Sequence, residues 1–287
     1  MERYVGLVVH PSRPEAMALA VEVIVWLEAR GITALLDAET AQKLNRPTLT
    51  CSPEGWQSVA FIVTLGGDGT ILTAARLASP CGTPILGVHM GRFGFIAETH
   101  PNDLYPHLEE ILDGKMQIEE RIMIHADILR NGKIVHTGVG LNDVLVKSGM
   151  SHMLHLKTEF GGATFASYPA DGILVSTPTG STAYALSAGG PLVVPTVQAF
   201  IVVPICPHTL SARPMIVPAT ETIAIEIESE TEDVICAIDG VEPMPLQRGD
   251  RIEMRQADNM TRLIVLNHAT FYGKVRARYL YGERLNE

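Results

Sequence analysis

An apolar run, Val59-Ala60-Phe61-Ile62-Val63-Thr64-Leu65, leads directly into Gly66-Gly67-Asp68-Gly69-Thr70, and Ile71-Leu72-Thr73-Ala74-Ala75-Arg76-Leu77 follows with helical character. A buried strand that ends in glycines just where a helix begins is the strand–turn–helix joint of an α/β sheet. Glycines let the backbone turn sharply and approach a ligand closely, because no Cβ is in the way. The N–H groups exposed at the helix start favour an anion such as phosphate. Asp68 is the odd residue in such a turn. A carboxylate beside a phosphate is electrostatically unwelcome unless it holds a metal or accepts a proton, so the segment reads as a phosphoryl-transfer site. The plainer alternative is a turn in which Asp68 caps the helix.

Two standard nucleotide motifs are absent. No Gly-x-x-x-x-Gly-Lys-Ser/Thr occurs, which argues against a Walker-type NTPase. The dinucleotide fingerprint also fails, because Gly67-x-Gly69 is followed by Leu72 where a third glycine or alanine belongs.

The first ~115 residues alternate strand and helix. Strands are expected over residues 5–9, 32–36, 59–65 and 84–89, and helices over 15–30 and 102–112. That alternation predicts a mainly parallel sheet, whose ligands bind beyond the carboxyl ends of its strands. From about Met116 the pattern becomes β only, with strands expected over 122–129, 134–139, 154–160, 173–176, 201–204, 222–228, 234–238 and 263–266. Asn131-Gly132 predicts a hairpin between the first two. With 287 residues, 46% of them hydrophobic and 19% charged, the chain has room for two domains and material for a substantial core.

Three further clusters carry chemistry. Gly91-Arg92-Phe93-Gly94-Phe95 follows the strand after Pro84 and belongs at the same sheet edge as Asp68, with Arg92 available to phosphate. Gly140-Leu141-Asn142-Asp143 interrupts a β pattern with an amide beside a carboxylate, a pair suited to a ribose diol or an adenine edge, or simply to a turn. Ser176-Thr177-Pro178-Thr179-Gly180-Ser181-Thr182-Ala183-Tyr184 sets five hydroxyls between positions 176 and 182, more than capping needs, before a short helix. Hydroxyls and N–H groups there suit phosphate or ribose, and Tyr184 offers a flat face for a base. His152 and His155 stand three apart in a strand-like stretch and so face opposite sides, a poor metal pair.

The net charge of −10 and the lack of a Lys/Arg-rich block argue against a nucleic-acid partner. Cys51, Cys81, Cys206 and Cys236 form no Cys-x-x-Cys pair and read as reduced thiols. There is no basic region followed by an apolar core at the N-terminus, and no apolar run of membrane-spanning length. The expectation is a soluble, cytoplasmic protein.

These clusters, in order and spacing, make the chain resemble the bacterial-type NAD kinases. The resemblance runs through Gly66-Gly67-Asp68-Gly69-Thr70, Gly91-Arg92-Phe93-Gly94-Phe95, Leu141-Asn142-Asp143 and Ser176 to Tyr184. It continues through Cys206-Pro207-His208-Thr209-Leu210-Ser211-Ala212-Arg213-Pro214. The first motif is shared with lipid kinases and phosphofructokinases, whereas the hydroxyl-rich segment is much more selective. The resemblance implies a Rossmann-like α/β domain over residues 1–115, with residues 269–287 returning to pack on it. It implies a β-rich NAD-binding domain over 116–268, and an active site in the cleft between the two.

The same resemblance implies the residue roles. Asp68 is the base that takes the proton from the adenosine ribose 2′-hydroxyl of NAD, with Gly66, Gly67, Gly69, Thr70, Arg92 and Phe93 around the nucleotide. Asn142 and Asp143 hold NAD, while Thr179, Thr182, Ala183, Tyr184 and Ser187 line the nucleotide pocket. Asp171, reaching from a neighbouring subunit, contacts the dinucleotide near His152. ATP or polyphosphate donates the phosphoryl group. Mg²⁺ arrives through the phosphates with no protein ligand, and the assembly is a homodimer or homotetramer. Two positions depart from the family pattern: Asp143 stands where Glu is usual, and His89 where Asn is more frequent. The alternatives are a lipid or sugar kinase of the same superfamily and a non-catalytic NAD(P) sensor.

Overall fold

The computed structural model describes residues 3–91, 94–149, 153–230, 233–266 and 270–279. The chain forms two compact units, one from Met1–Glu120 with Thr261–Glu287, the other from Arg121–Met260.

The first unit opens with β1 (Arg3–Val9), α1 (Pro14–Glu28), β2 (Ile32–Leu36) and a short α2 (Ala38–Lys43). It continues through β3 (Val59–Gly66), α3 (Asp68–Ala78), β4 (Ile85–His89), α4 (Leu104–Leu112) and β5 (Gln117–Arg121). Helix α1 starts on Pro14 at its first position and buries Ala16, Leu19, Ala20, Val23, Ile24 and Leu27, one stripe at helical spacing. Strands β1 and β3 are almost entirely buried, as continuous apolar runs inside a parallel sheet should be.

The second unit contains β6 (Ile124–Arg130), β7 (Lys133–Gly140), β8 (Asp143–Ser148), β9 (Leu154–Phe160), β10 (Ala163–Ala170) and β11 (Gly172–Ser176). A 3₁₀ turn (Thr179–Thr182) and α5 (Tyr184–Ser187) follow. Next come β12 (Ala199–Ile205), β13 (Met215–Pro218), β14 (Ile223–Ile227), β15 (Val234–Ile238), β16 (Val241–Leu246) and β17 (Arg251–Gln256). They make two antiparallel six-stranded sheets, in the orders β10-β9-β14-β17-β6-β7 and β13-β12-β11-β8-β15-β16. One core draws alternate residues from both sheets: Ile124, Ala126 and Ile128 of β6, Leu154 and Leu156 of β9, Ile173 and Val175 of β11, Phe200 and Val202 of β12. On the opposite face of β11 and β12, Leu174, Ile201 and Val203 pack with Ala185 of α5 and Val193. Strand β11 is therefore covered on both faces, which explains its unbroken apolar run.

After β17 the chain returns to the first unit. Strand β18 (Thr261–Val265) joins its sheet, giving the order β2-β1-β3-β4-β18-β5. Pairing is parallel between β1 and β2, β1 and β3, β3 and β4, and β4 and β18. Read as one more strand of the β-rich region, residues 263–266 instead contribute Ile264 and Leu266 to the core of the α/β unit. Helix α6 (Phe271–Tyr279) closes the described chain. No helix among the described residues is long and apolar enough to cross a membrane.

Candidate active site

Strands β3 and β4 are parallel neighbours, with Gly66 opposite His89, so the Asp68 turn and the segment after β4 do share one sheet edge. Gly67 is the N-cap of α3 and makes no side-chain cap bond, while Asp68 is the first helical residue. Asp68 therefore does not cap its own helix. Its carboxylate turns instead to the strap after β4: Oδ2 accepts the Phe95 N–H at 2.8 Å, and Oδ1 accepts those of Ile96 and Ala97, each at 3.3 Å. Gly94 makes this approach possible, because a Cβ there would stand 2.0 Å from Asp68 Oδ1. A carboxylate offers about four lone-pair sites, so three backbone donors leave one, on Oδ2, for a further partner.

Among the described residues, nothing lies within 4 Å of an ideal Cβ on Gly67 or Gly69, so none of those side chains covers this part of the turn. The N–H groups of Asp68 and Gly69 belong to the first turn of α3, where no intrahelical carbonyl is available. Thr70 is buried against Gly66, and its Oγ1 has no hydrogen-bond partner among the described residues. Buried His89 shares its Nδ1 with the Gly91 carbonyl at 3.2 Å and meets the His100 ring edge-on. Burial pushes the His89 pKa below the ordinary histidine value, which favours the neutral ring. Arg92 and Phe93 lie outside the described residues.

In the second unit the structure brings together two segments that lie far apart in the chain. The turn between β7 and β8 carries Asn142 and Asp143, which are only 8% and 7% exposed. The Asn142 carbonyl accepts the Thr177 N–H at 2.8 Å and the Ser176 hydroxyl at 3.2 Å. Thr177 Oγ1 donates to the Leu141 carbonyl at 2.5 Å and accepts the Gly180 N–H at 3.2 Å. A Cβ on Gly180 would fall 2.2 Å from the Asn142 carbonyl oxygen, so the two turns touch where only glycine fits. Ser181 Oγ is likewise used within the fold, donating to the Val193 carbonyl and accepting its N–H. Several of the hydroxyls thus stitch two turns together, which accounts for their number without a ligand. Thr179 is buried, and its Oγ1 accepts from Arg121 at 3.4 Å.

What remains accessible lies one step further on. Tyr184 is 42% exposed, Ser187 is exposed, and Thr182 and Ala183 are partly so. Asp171 is exposed at the β10–β11 junction, where its N–H donates to the Ile205 carbonyl at 3.0 Å. His155 is exposed on β9, and His152 lies outside the described residues.

One organising residue escaped the sequence reading. Asp239, at the β15–β16 turn with φ +50°, accepts the N–H groups of Leu141, Asn142 and Asp143 at 2.8, 2.7 and 3.1 Å. Burial first, and the Asp239 charge second, push the Asp143 carboxyl up to about 7. Asn142 Oδ1 is buried and unpartnered among the described residues, an acceptor left over for a ligand donor. The Asp239-Gly240 pair reads from sequence as an ordinary turn; that it holds a turn nearly a hundred residues earlier is not locally encoded.

No group of three or more His, Cys, Asp or Glu that could hold a metal occurs among the described residues. Asp68 could offer a cation only the lone pair left on Oδ2, so a metal here would need most of its ligands from elsewhere, as one carried on donor phosphates would have.

Comparison with known proteins places these features in context. Residues 5–116 match the ATP-NAD kinase N-terminal domain, and residues 141–266 match the ATP-NAD kinase C-terminal domain. The NAD kinase of Moorella thermoacetica is 41% identical over 279 residues, covering 97% of this chain and 89% of that protein. The NAD kinase of Symbiobacterium thermophilum is 40% identical over 281 residues, covering 97% and 99%. Among solved structures, yeast NADH kinase complexed with NADH superposes with a TM-score of 0.90 at 24% identity, covering 100% of this chain and 90% of that one. An NAD kinase from Archaeoglobus fulgidus in complex with ATP gives 0.72 at 24%, covering 97% of each. At that identity the likeness is one of fold.

Proposed function

Because the chain belongs to the ATP-NAD kinase family, and is by that membership a phosphotransferase, we propose that Asp68 is its proton acceptor in making NADP from NAD. The observation that carries this is the Asp68 carboxylate itself. It stands at the N-terminus of α3, is aimed by three backbone N–H groups, and keeps one lone pair on Oδ2.

In the proposed reaction the adenosine ribose 2′-oxygen of NAD attacks the terminal phosphorus of the donor. The new O–P bond forms as the bond to the leaving phosphate breaks, and the hydroxyl proton passes to Asp68 Oδ2. Proton acceptance contributes about 10²–10⁴-fold. The larger share comes from positioning and from neutralising phosphate charge, through the first-turn N–H groups of α3 and the Mg²⁺ that enters with ATP as part of the substrate. Asn142 and Asp143 hold the dinucleotide, with Asn142 Oδ1 as acceptor. Thr182, Ala183, Tyr184 and Ser187 receive the adenine. The exposed position of Asp171 suits a contact supplied to a neighbouring subunit of a homo-oligomer, together with His152, while Arg92 and Phe93 attend the nucleotide.

The test is the purified protein with NAD⁺, ATP and Mg²⁺, reading NADP⁺ with an NADP-specific dehydrogenase, alongside Asp68→Asn. Product from wild type and a turnover lower by about 10²–10⁴-fold in the variant are expected, with KM for NAD much less affected. A variant at full rate would remove Asp68 from the role. Polyphosphate in place of ATP, and NADH in place of NAD⁺, define donor and acceptor in the same assay. Diacylglycerol and sugar acceptors test the lipid- and sugar-kinase readings.

A further inference from the structure

The strap that aims Asp68 is itself held from the other end of the chain. Its far side is sewn to β4, where the Glu98 and Thr99 N–H groups both donate to the Gly87 carbonyl at 3.0 and 3.1 Å. Its near side rests on α6. There Lys274 Nζ donates to the Phe95 carbonyl at 3.2 Å and pairs with Glu98 Oε1, with the Lys274 and Glu98 side chains 9% and 8% exposed. The Phe95 ring stacks on Tyr279 at 5.8 Å, with the Arg278 guanidinium 5.4 Å from its centre. One ammonium thus spans both ends of the four-residue strap that supplies all three donors to Asp68.

The geometry is more specific than packing. The Phe95 carbonyl and the Ile96 N–H belong to one peptide unit, and a trans peptide points the two in opposite directions. Lys274 holds the oxygen of that unit, and Asp68 Oδ1 accepts its hydrogen. A positive charge on the carbonyl also polarises the N–H and strengthens the bond it donates. An ammonium this little exposed carries a desolvation cost, which its two partners here offset.

We propose that Lys274 is a positioning residue for phosphoryl transfer. By fixing the Phe95–Ile96 peptide plane, it holds the Asp68 carboxylate in the orientation in which Oδ2 meets the ribose hydroxyl. This rests on the reading of Asp68 as the proton acceptor.

The experiment compares wild type, D68N, K274M/E98Q and the triple variant D68N/K274M/E98Q in the NADP⁺ assay, each with a thermal melt. Changing both members of the pair avoids leaving a buried Glu98 charge unpartnered. K274M/E98Q should lose about ten- to hundred-fold in kcat, the scale of a misplaced catalytic group, with KM for NAD and ATP within about two-fold. Added to D68N, the same changes should cost less than about two-fold, because no carboxylate remains to be aimed. K274R keeps a cationic donor for both the Phe95 carbonyl and Glu98, and its kcat should stay within about three-fold of wild type. A wild-type kcat in K274M/E98Q, an equal loss in the D68N background, or a K274R kcat as low as that of K274M/E98Q would each overturn the proposal. If K274M/E98Q folds poorly, K274M/E98M replaces the pair with packed apolar groups and carries the same expectations. Full activity in D68N would instead strike the proton-acceptor reading itself.

Discussion

Asp143 and Asp239 exchange hydrogen bonds in both directions: the Asp143 N–H donates to Asp239 Oδ1 at 3.1 Å, and the Asp239 N–H donates to the Asp143 carbonyl at 2.9 Å. The two carboxyl groups are thereby kept close in a buried turn. Three backbone donors compensate Asp239, while burial and the Asp239 charge push the Asp143 carboxyl up to about 7.

A pH dependence of stability follows. The Asp143 carboxyl has an ordinary value of 3.8 when unfolded and is pushed up to about 7 in the fold, chiefly by burial. A raised folded value means that its contribution is fully present below pH 3.8 and is lost as pH climbs to about 7. The full difference is on the order of 4 kcal/mol. Asp143→Asn cannot ionise. Urea melts at pH 5, 6, 7 and 8 should show wild type losing ground to D143N up to about pH 7 and running parallel above about 8. Parallel curves throughout would show that Asp143 titrates normally.

Gly94→Ala places a methyl 2.0 Å from Asp68 Oδ1, so the strap or the carboxylate must move. We expect kcat to fall by about 10²-fold, from misplacement rather than loss of the group. The stability cost should be about 1–3 kcal/mol. Steady-state kinetics and a denaturant titration of the same preparation separate the two.

Thr177→Val keeps the shape of a fully buried side chain and deletes the hydroxyl that joins the Leu141 carbonyl to the Gly180 N–H. Two buried groups lose a partner, each worth about 1–3 kcal/mol. Destabilisation of roughly 2–4 kcal/mol in chemical unfolding is expected, with a raised KM for NAD as the Asn142 turn loosens.

Tyr184→Ala should behave in the opposite way. Tyr184 is 42% exposed and is the first residue of a four-residue helix. A stability change within about 0.5 kcal/mol is expected, as for other surface positions. KM for NAD should rise by about ten-fold if the ring stacks on adenine, a contact worth about 0.5–1.5 kcal/mol beyond its buried area. Unchanged KM would take the adenine away from this surface.

Local patterns disclosed the elements whose causes are local. The apolar run into Gly66 and the helix after it are α3 and its strand, and Asn131-Gly132 turns the β6–β7 hairpin, with both residues at positive φ. Two of the missed strands, β10 and β16, have a physical reason. β16 contains Pro243 and Pro245, and β10 contains Pro169. Both lie at sheet edges, where a missing N–H is tolerated, so they look like loops in sequence. The hydroxyl-rich turn was legible as special, but not in kind, because a buried Ser or Thr bonded to backbone has the same spelling as one that awaits a ligand.

By itself, then, the sequence determined where polar turns interrupt buried strands, and with them the α/β and β-rich character of its two parts, since strand period, glycine and turn chemistry act within a few residues. Only the tertiary structure decided what those turns do with their charges. It aims Asp68 by N–H groups 27, 28 and 29 positions away, sets Asp239 on a turn 96 to 98 positions earlier, and brings Lys274 back to Phe95 across 179. Those partners are chosen by the packing of strands, which no local periodicity records.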